Sequence, residues 1–394
     1  MLPTAAPNLY ATVFDLLRHA PWRDVRHLAT LAWMVVGLLL SRCVCLSRWL
    51  GHVEGRAEKA QSTERRFRRW LENPRIEVWP LYAGLVGRVL AECADGRLYV
   101  ALDTTVLWNL FCVVQVSLVY RGRAIPLCWS VLRHPSASVA FGDYREALDR
   151  AAELLEGFEV VLLADRGFCH RALVRWAKGA NGWHFRIRGK KDIPAFRWNG
   201  KGYGPLRLRL VAGQVAYYHE VFLWASHERV HLAVGWDKGA KEPWIVVSDE
   251  PTDTETLVDY GKRFCIEEGF LDHKSNGFQW ESSRLRDELA LDRLCFVMAV
   301  ATLVLVCQGV AVVAQGQRRA VDPHWNRGLS YARIGWNWID HALARGKALI
   351  DRLALLTAND PEPVRPSRRQ PDRSRWMDEL PRRYIFCIPA PQGA

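Results

Sequence analysis

Four polar residues in the segment 260–274 have types and spacing that suit chemistry on a phosphodiester. Tyr260, Arg263, Glu267 and Lys274 follow one another at intervals of three, four and seven residues. At about 3.6 residues per turn, these intervals predict one stripe along a single helix. One carboxylate among two cations and a phenol could serve a metal ion and a phosphate together. The alternative is an amphipathic helix with a solvated charged face.

Two aspartates each end a short and very apolar run of sequence. Asp103 ends the run 98–103, and Asp165 ends the run 160–165. Both runs are predicted to be buried strands, and the ends of such strands present functional groups in α/β proteins. A carboxylate leaving a core is costly unless a cation or water meets it. With Glu267, these acids form a predicted three-carboxylate cluster of the kind that selects Mg²⁺ or Mn²⁺, and two such ions assist in-line phosphoryl displacement.

Each aspartate also has a local alternative. Asp103 precedes two threonines and could cap a turn. Asp165 precedes Arg166, so the two could form a structural turn with a local ion pair. Arg166 is accordingly a candidate either for contact with phosphate or for pairing with Asp165. The order Asp, Asp, Glu within a basic chain favours the functional interpretation.

Composition points to a globular protein with a polyanionic partner. The 394 residues are 49% hydrophobic and carry a net charge of +12, so nucleic acid is the first candidate partner. The ten cysteines include no Cys-x-x-Cys pair, which favours reduced thiols in the cytoplasm over a zinc site. The apolar runs 28–40 and 294–307 are shorter than the roughly 18–20 residues that cross a bilayer, so we predict core helices and no membrane partner.

Changes of pattern along the chain predict its organisation. The N-terminal part is helical, with Asp24 capping one helix and Ser62 or Thr63 capping a basic helix. Strand-like runs dominate from residue 97, and the last segment is rich in Pro and Arg. The predicted divisions are a helical DNA-binding module (1–95), the first part of an α/β core (96–180), a β-rich insertion (181–250), the second part of the core (251–320), a helical segment (321–357) and a basic tail (358–394).

Three motifs, in this order, resemble those of the DDE transposases of bacterial insertion sequences. Leu102-Asp103-Thr104-Thr105 resembles the first catalytic block, and Asp165-Arg-Gly-Phe168 resembles the second. The stripe from Tyr260 to Lys274 matches the Tyr-Arg-Glu-Lys signature of one branch of that family, including its spacing. The resemblance covers about residues 98–310.

The resemblance implies a ribonuclease-H-like fold, in which a mixed sheet with flanking helices is interrupted by the β-rich insertion. It implies that Asp103, Asp165 and Glu267 are catalytic ligands of two Mg²⁺ ions, which Mn²⁺ can replace. Tyr260, Arg263, Lys274 and Arg166 would bind DNA phosphates. Glu268 adjoins Glu267 but points about 100° away on a helix, so it serves as a control residue.

The function implied is a bacterial, cytoplasmic transposase, associated with the nucleoid when bound to DNA. It would cleave double-stranded DNA at the ends of its element and join the 3′ ends to target DNA, working as a homodimer on paired ends. The alternatives are a nuclease of the same fold without strand transfer and a catalytically inactive DNA-binding protein. Weaker candidates are a tryptophan that stacks on an extruded base (Trp183, Trp198, Trp224 or Trp236) and two histidines expected to have ordinary polar roles (His134 and His170).

Overall fold

The computed structural model describes residues 5–54, 59–92, 96–180, 182–208, 210–274, 277–356 and 359–363. Most of the predicted basic tail, 358–394, lies outside these residues.

The N-terminal part is helical, as predicted. Its helices are α1 (Ala5–Leu17), α2 (Val25–Ser41), α3 (Leu46–Trp49), α4 (Ala60–Leu71) and α5 (Val78–Ala91). Asp24 caps α2 by accepting the backbone N–H of Arg26 at 2.8 Å, which confirms that prediction. The predicted cap of the basic helix is wrong, because α4 begins earlier, at Ala60, and Ser62 and Thr63 lie inside it.

One mixed sheet of ten strands forms the centre of the fold. The strands are β1 (Arg97–Leu107), β2 (Phe111–Tyr120), β3 (Arg123–Leu132), β4 (Glu159–Ala164), β5 (Trp183–Arg188), β6 (Ala195–Trp198), β7 (Tyr203–Pro205), β8 (Val215–Leu223), β9 (Glu228–Gly235) and β10 (Trp244–Ser248). Their order is β3-β2-β1-β4-β5-β10-β9-β8-β6-β7. The first three strands form an antiparallel meander, whereas β1, β4 and β5 are parallel. The predicted α/β class, with a mixed sheet and flanking helices, is confirmed.

The strands between residues 181 and 250 extend this sheet rather than forming a separate layer. β5 pairs in parallel with β4, and β10 pairs with β5 in the antiparallel sense. The first strand of the predicted insertion therefore belongs to the parallel part of the core. The predicted division between core and insertion stays a prediction.

Six further helices cover the two faces of the sheet. They are α6 (Phe141–Leu154), α7 (Arg171–Gly179), α8 (Thr254–Gly261), α9 (Phe264–Lys274), α10 (Glu288–Ala314) and α11 (Tyr331–Arg345). The main hydrophobic core joins one sheet face to α6, α7, α10, α11 and the N-terminal helices. On the other face, α8 packs over β8, β9 and β10, and α9 packs over β1 and β3. This second face carries the candidate site.

Helix α10 contains the apolar run 294–307 but is longer than that run suggests. Its 27 residues are enough to cross a membrane by length and composition, and 89% of its most apolar window is buried inside the protein. The bent pair of α2 and the segment 46–52 passes the same test when counted together. Burial against the sheet and other helices accounts for the apolar character of α10, since a helix that is hydrophobic all round needs protein or lipid around it.

Two glycines allow α10 and α11 to approach closely. A Cβ atom at Gly335 would lie 2.0 Å from the carbonyl oxygen of Leu305, and one at Gly309 would lie 1.9 Å from that of Tyr331. Neither distance is possible without movement of a backbone. The contact between these helices therefore depends on the absence of a side chain at both positions.

A network of ion pairs connects neighbouring strands at the N-terminal ends of the parallel strands. Arg97 on β1 bonds to Glu159 on β4 and, at 2.8 Å, to Glu250, which follows β10. Arg186 on β5 bonds to the other Glu250 oxygen at 2.6 Å. His184 lies 3.6 Å from Glu159, and its Nδ1 lies 2.7 Å from Asp249.

Glu159, His184 and Glu250 also have the spacing of metal ligands, with their ligand atoms within 4.8 Å of one another. Both carboxylates already accept hydrogen bonds from arginines. Two guanidinium groups beside these acids would repel a divalent cation. We therefore interpret this cluster as a structural ion-pair network.

Substituting Gly335→Ala is expected to destabilise the fold by about 1–3 kcal/mol, because overpacking forces α10 and α11 apart. The matched control is Gly87→Ala in α5, where the nearest atom to a new Cβ lies 3.8 Å away. The control should be neutral or stabilise by up to about 1 kcal/mol, since glycine is unfavourable inside helices. Urea unfolding measures both, and equal stability of the two variants would contradict the close approach.

Acid should weaken the ion-pair network in a defined range. Burial alone would raise the pKa of Glu250, but hydrogen bonds from Arg97 and Arg186 lower it from 4.5 to about 2. A depressed carboxyl pKa stabilises the fold above about pH 4.5, and this contribution is lost as the pH falls towards 2. Glu250→Gln should lower the melting temperature at pH 7, with a difference that shrinks below pH 4. Glu153→Gln on the exposed face of α6 is the control and should have little effect at either pH.

Candidate active site

The register of two parallel strands places Asp103 beside Asp165. Leu102 on β1 is paired with Ala164 on β4, and each aspartate is the next residue along its chain. Neighbouring strands lie about 4.8 Å apart, so the two aspartates occupy adjacent positions in the sheet. The prediction that Asp103 ends its strand is wrong, because β1 continues to Leu107 as a hairpin with β2. β4 ends at Ala164, so the sheet beside Asp103 is open.

The next parallel strand contributes a cation that the sequence motifs did not indicate. Ala164 is paired with Ile187, so Arg188 at the end of β5 lies one strand beyond Asp165. Its guanidinium is largely buried and bonds to Glu242 at 2.8 Å. One feature of the sequence could have indicated Arg188. The predicted strand 183–188 ends in this arginine, just as the runs 98–103 and 160–165 end in aspartates.

The segment 260–274 forms two helices, so the predicted single helix is wrong. α8 ends at Gly261 and α9 begins at Phe264. Between them the backbone N–H groups of Lys262, Arg263, Cys265 and Ile266 bond to carbonyls three residues earlier. This tighter winding, typical of a 3₁₀ turn, changes the direction of the chain and of Arg263. Tyr260 therefore lies on α8, and Glu267 and Lys274 lie on α9.

Arg263 bridges two of the three predicted carboxylates. Its Nη1 donates to Asp103 Oδ2 at 2.9 Å, and its Nη2 donates to Glu267 Oε1 at 2.5 Å. The arginine is only 3% exposed. A buried guanidinium needs compensating charge, which these acids supply. Arg263 thus connects α9 to β1 and holds Glu267 on the same side as Asp103.

Asp103 lies in an environment that disfavours its charged form. Burial raises its pKa to about 6, while Arg263 and the backbone N–H of Thr104 act in the opposite direction. The charges of Asp165 and Glu267 raise the pKa further. A buried carboxylate with a raised pKa beside other acids is an environment in which a functional carboxylate is often found.

Tyr260 lies beneath this site rather than on its surface. The residue is fully buried, and its ring meets Trp244 edge-on at 5.1 Å between centroids. Its hydroxyl adjoins Arg263 without a well-formed hydrogen bond. Burial raises the pKa of Tyr260 to about 12, opposed by the charge of Arg263.

Lys274 is accessible at the far end of α9. Its Nζ donates to the carbonyl oxygen of Val106 at 3.0 Å and lies 3.8 Å from Glu281. Glu268 points away from the site, with 53% of its side chain exposed and Arg123 3.9 Å away. Lys274 therefore contacts the end of β1, whereas the control residue Glu268 belongs to a different face of α9.

Arg166 pairs with an acid other than the one expected. Its Nη1 donates to Glu242 at 2.9 Å, and half of the side chain is exposed. The predicted local pair with Asp165 is therefore wrong. Glu242 is remote in sequence and becomes available because the loop before β10 reaches the ends of the parallel strands.

The weaker candidates have the following positions. His170 caps α7 and its Nε2 lies 2.6 Å from the Tyr144 hydroxyl, and His134 bonds to the carbonyl oxygen of Ser136. These are the ordinary polar roles expected. Of the four tryptophans, Trp183 is buried and Trp198 is 47% exposed. Trp224 and Trp236 are half-buried.

The acids at this site fit a divalent cation by charge and by donor type. Asp103, Asp165 and Glu267 offer hard carboxylate oxygens, which Mg²⁺ and Mn²⁺ prefer. Three carboxylates around Arg263 leave an excess of negative charge. Arg263 bonds to one oxygen of Asp103 and one oxygen of Glu267, so the second oxygen of each carboxylate is the one that Arg263 leaves for an ion.

Comparison with known proteins adds independent information. A comparison with curated proteins finds no match. Among solved structures, the chain is similar to a cryo-EM structure of the piggyBac transposase synaptic complex with hairpin DNA, at 9% identity and a TM-score of 0.41. That similarity covers 88% of this chain and 81% of the other.

A family model matches the centre of the chain. The matched residues are 111–304, and the model describes the transposase DDE domain. The matched range includes Asp165 and Glu267. It also includes Tyr260, Arg263 and Lys274, which are predicted to bind phosphate, whereas Asp103 precedes the range. Over residues 111–304, this chain is therefore similar to the transposase DDE domain family.

Proposed function

We propose that this protein is a metal-dependent DNA transposase that binds the ends of an insertion sequence, cleaves phosphodiester bonds there and joins the 3′ ends to target DNA. The family match supports transposase chemistry on DNA. The net charge of +12 supports a polyanionic partner. The Tyr-Arg-Glu-Lys spacing supports the branch of bacterial insertion sequences to which we assign the chain.

One observation carries the proposed site. Asp103 and Asp165 follow the paired residues Leu102 and Ala164 of two adjacent parallel strands, and Arg263 connects Glu267 on α9 to Asp103. Three acids from distant parts of the sequence thus meet at one place. Because Asp103 lies outside the matched family range, its assignment rests on this register and on its motif.

In the proposed mechanism the three carboxylates bind two divalent metal ions, which would stabilise the attacking and leaving oxygens of an in-line displacement. The attacking group is water during cleavage and a 3′ hydroxyl during joining. Arg263 orients Asp103 and Glu267 until DNA and metal arrive. Lys274 and Arg166 are accessible and bind phosphates by charge.

Tyr260 and Arg263 are buried, so their predicted contact with phosphate requires a movement of α8 or of the turn that follows it. The ion pairs of Arg263 identify that turn as the place where such a movement would act. A phosphate would replace the carboxylates as the partner of Arg263, and the released carboxylates would be available to a metal ion.

We further propose that two copies act on paired element ends in the bacterial cytoplasm, associated with the nucleoid. The eight cysteines of the described residues are free thiols, which fits a reducing compartment. The rival function, hydrolysis without joining, uses the same carboxylates. Incubation of precut ends with a target plasmid distinguishes the two, since only a transposase forms joined products.

Asp103→Asn or Asp165→Asn should reduce cleavage of end-containing DNA by at least about 10³-fold, because each removes a charged metal ligand worth several kcal/mol at the transition state. DNA binding in a gel-shift assay should persist. Cleavage in Mg²⁺ followed on a labelled duplex measures the effect. Full activity of either variant would rule out its role as a ligand.

Glu267→Gln should abolish cleavage, whereas Glu268→Gln should retain it within a few-fold. The two residues are neighbours of the same type, but only Glu267 faces Arg263 and the aspartates. The pair is therefore a matched test of which acid belongs to the site. The opposite result would move the third ligand by one residue and change the orientation assigned to α9.

A further inference from the structure

A groove lies between the N-terminal helices and the segment that follows α9. Its volume is about 570 Å³. One wall is formed by residues 43–48 and by two side chains of α4, Glu64 and Arg68, and the other wall by residues 279–285. Neither wall belongs to the three-acid site. The groove therefore joins the helical N-terminal part to the core.

The groove begins next to the candidate active site. Lys274, on the helix that carries Glu267, lies 3.8 Å from Glu281 in the groove wall. The indole of Trp108, which directly follows β1, donates to the Glu281 carbonyl at 2.9 Å. The strand that carries Asp103 and the helix that carries Glu267 therefore both hold this wall in place.

The charges that line the groove leave two arginines without acidic partners. Arg68 pairs with Glu64 at 3.2 Å, and Glu281 is paired with Lys274. Within the described part of the chain, neither Arg48 nor Arg284 forms a salt bridge, and both are exposed. Ser47 and Ser282 also line the groove. Guanidinium and hydroxyl donors together are the groups that contact DNA phosphates.

The backbone of the second wall is held in an uncommon conformation. Gln279 and Arg284 bracket a short 3₁₀ turn, Trp280–Ser283, and both have left-handed φ angles of 54°. Residues with a Cβ rarely adopt this region, and such strain collects at functional sites. The wall is anchored by the bond from the Val44 N–H to the Phe278 carbonyl at 2.8 Å. This conformation places the Arg284 side chain on the groove.

We propose that this groove binds the phosphate backbone of the DNA next to the cleavage site, with Arg48 and Arg284 as its phosphate contacts. The inference rests on the proposed function for the identity of the partner as DNA. It assigns a role in the complex to the N-terminal helices, because α3 and α4 supply one wall. The bound backbone would run from Lys274 along the second wall towards α4.

The first test is the salt dependence of duplex DNA binding. Each phosphate contact contributes about 0.9 to the slope of log K against log salt concentration. The double variant Arg48→Ala/Arg284→Ala should therefore lower the slope by about 2 and weaken binding at low salt by at least about tenfold. Fluorescence anisotropy with a labelled duplex measures both quantities.

The matched control is Arg345→Ala/Lys347→Ala, which also removes two exposed positive charges but lies outside the groove. Its slope should equal that of the unmodified protein. Equal slopes for the two double variants would overturn the proposal. If the slopes of the two double variants differ as predicted but the unmodified protein does not cleave DNA, the groove proposal is supported and the proposed catalytic function is contradicted. If the unmodified protein cleaves DNA but the two double variants have equal slopes, only the groove proposal is contradicted.

A second test does not depend on removing arginines. Cys45 lines the groove and is partly exposed. End-containing duplex that carries an activated disulfide on a phosphate next to the cleavage site should form a covalent adduct with this thiol by disulfide exchange. Cys45→Ser should lose the adduct while retaining the unmodified slope. The proposed path of the DNA backbone would be contradicted if the adduct persists in Cys45→Ser, or if no adduct forms at any backbone position tested.

Discussion

The site depends on one buried guanidinium between two carboxylates. Arg263 is nearly inaccessible, so the cost of removing its charge from water must be offset by partners with good geometry. Asp103 and Glu267 are those partners, at 2.9 and 2.5 Å. This requirement fixes the turn between α8 and α9 and brings Glu267 close to Asp103. Removing the arginine would leave the carboxylates of Asp103 and Glu267 to repel one another.

The sheet supplies the other half of the arrangement. Parallel pairing of β1 with β4 and of β4 with β5 brings Asp103, Asp165 and Arg188 to successive strands at one level. α9 packs over the neighbouring strands β1 and β3, with Gly269 next to Ala124 on β3. Close contact of helix and sheet therefore lets short side chains of the sheet meet Arg263.

The sequence predicts those parts of this arrangement that are local. An apolar run followed by an aspartate indicates a buried strand and a functional end, so Asp103 and Asp165 could be found without a structure. The continuation of β1 beyond Asp103 depends on pairing with β2, which a short run does not reveal. The partner of Arg166 is Glu242, 76 residues away in the chain, and only the fold brings that acid within reach. Ion-pair partners and the end of β1 are therefore tertiary properties, whereas the apolar runs themselves are local ones.

The stripe in 260–274 shows why periodicity can identify a set of residues but not the side they face. Polar residues at helical spacing usually indicate a solvated surface. Here Tyr260 faces inward because it packs against apolar residues of β8, β9 and β10. Arg263 faces inward because Asp103 and Glu267 offer it carboxylates. A periodic pattern contains no information about the charge of the opposing surface. The tight turn at Lys262 and Arg263 follows from the same cause, since the guanidinium must reach both Asp103 and Glu267. A charged stripe in which a buried cation forms an ion pair with an acid on the facing sheet is therefore stronger evidence for a polar site than the stripe alone.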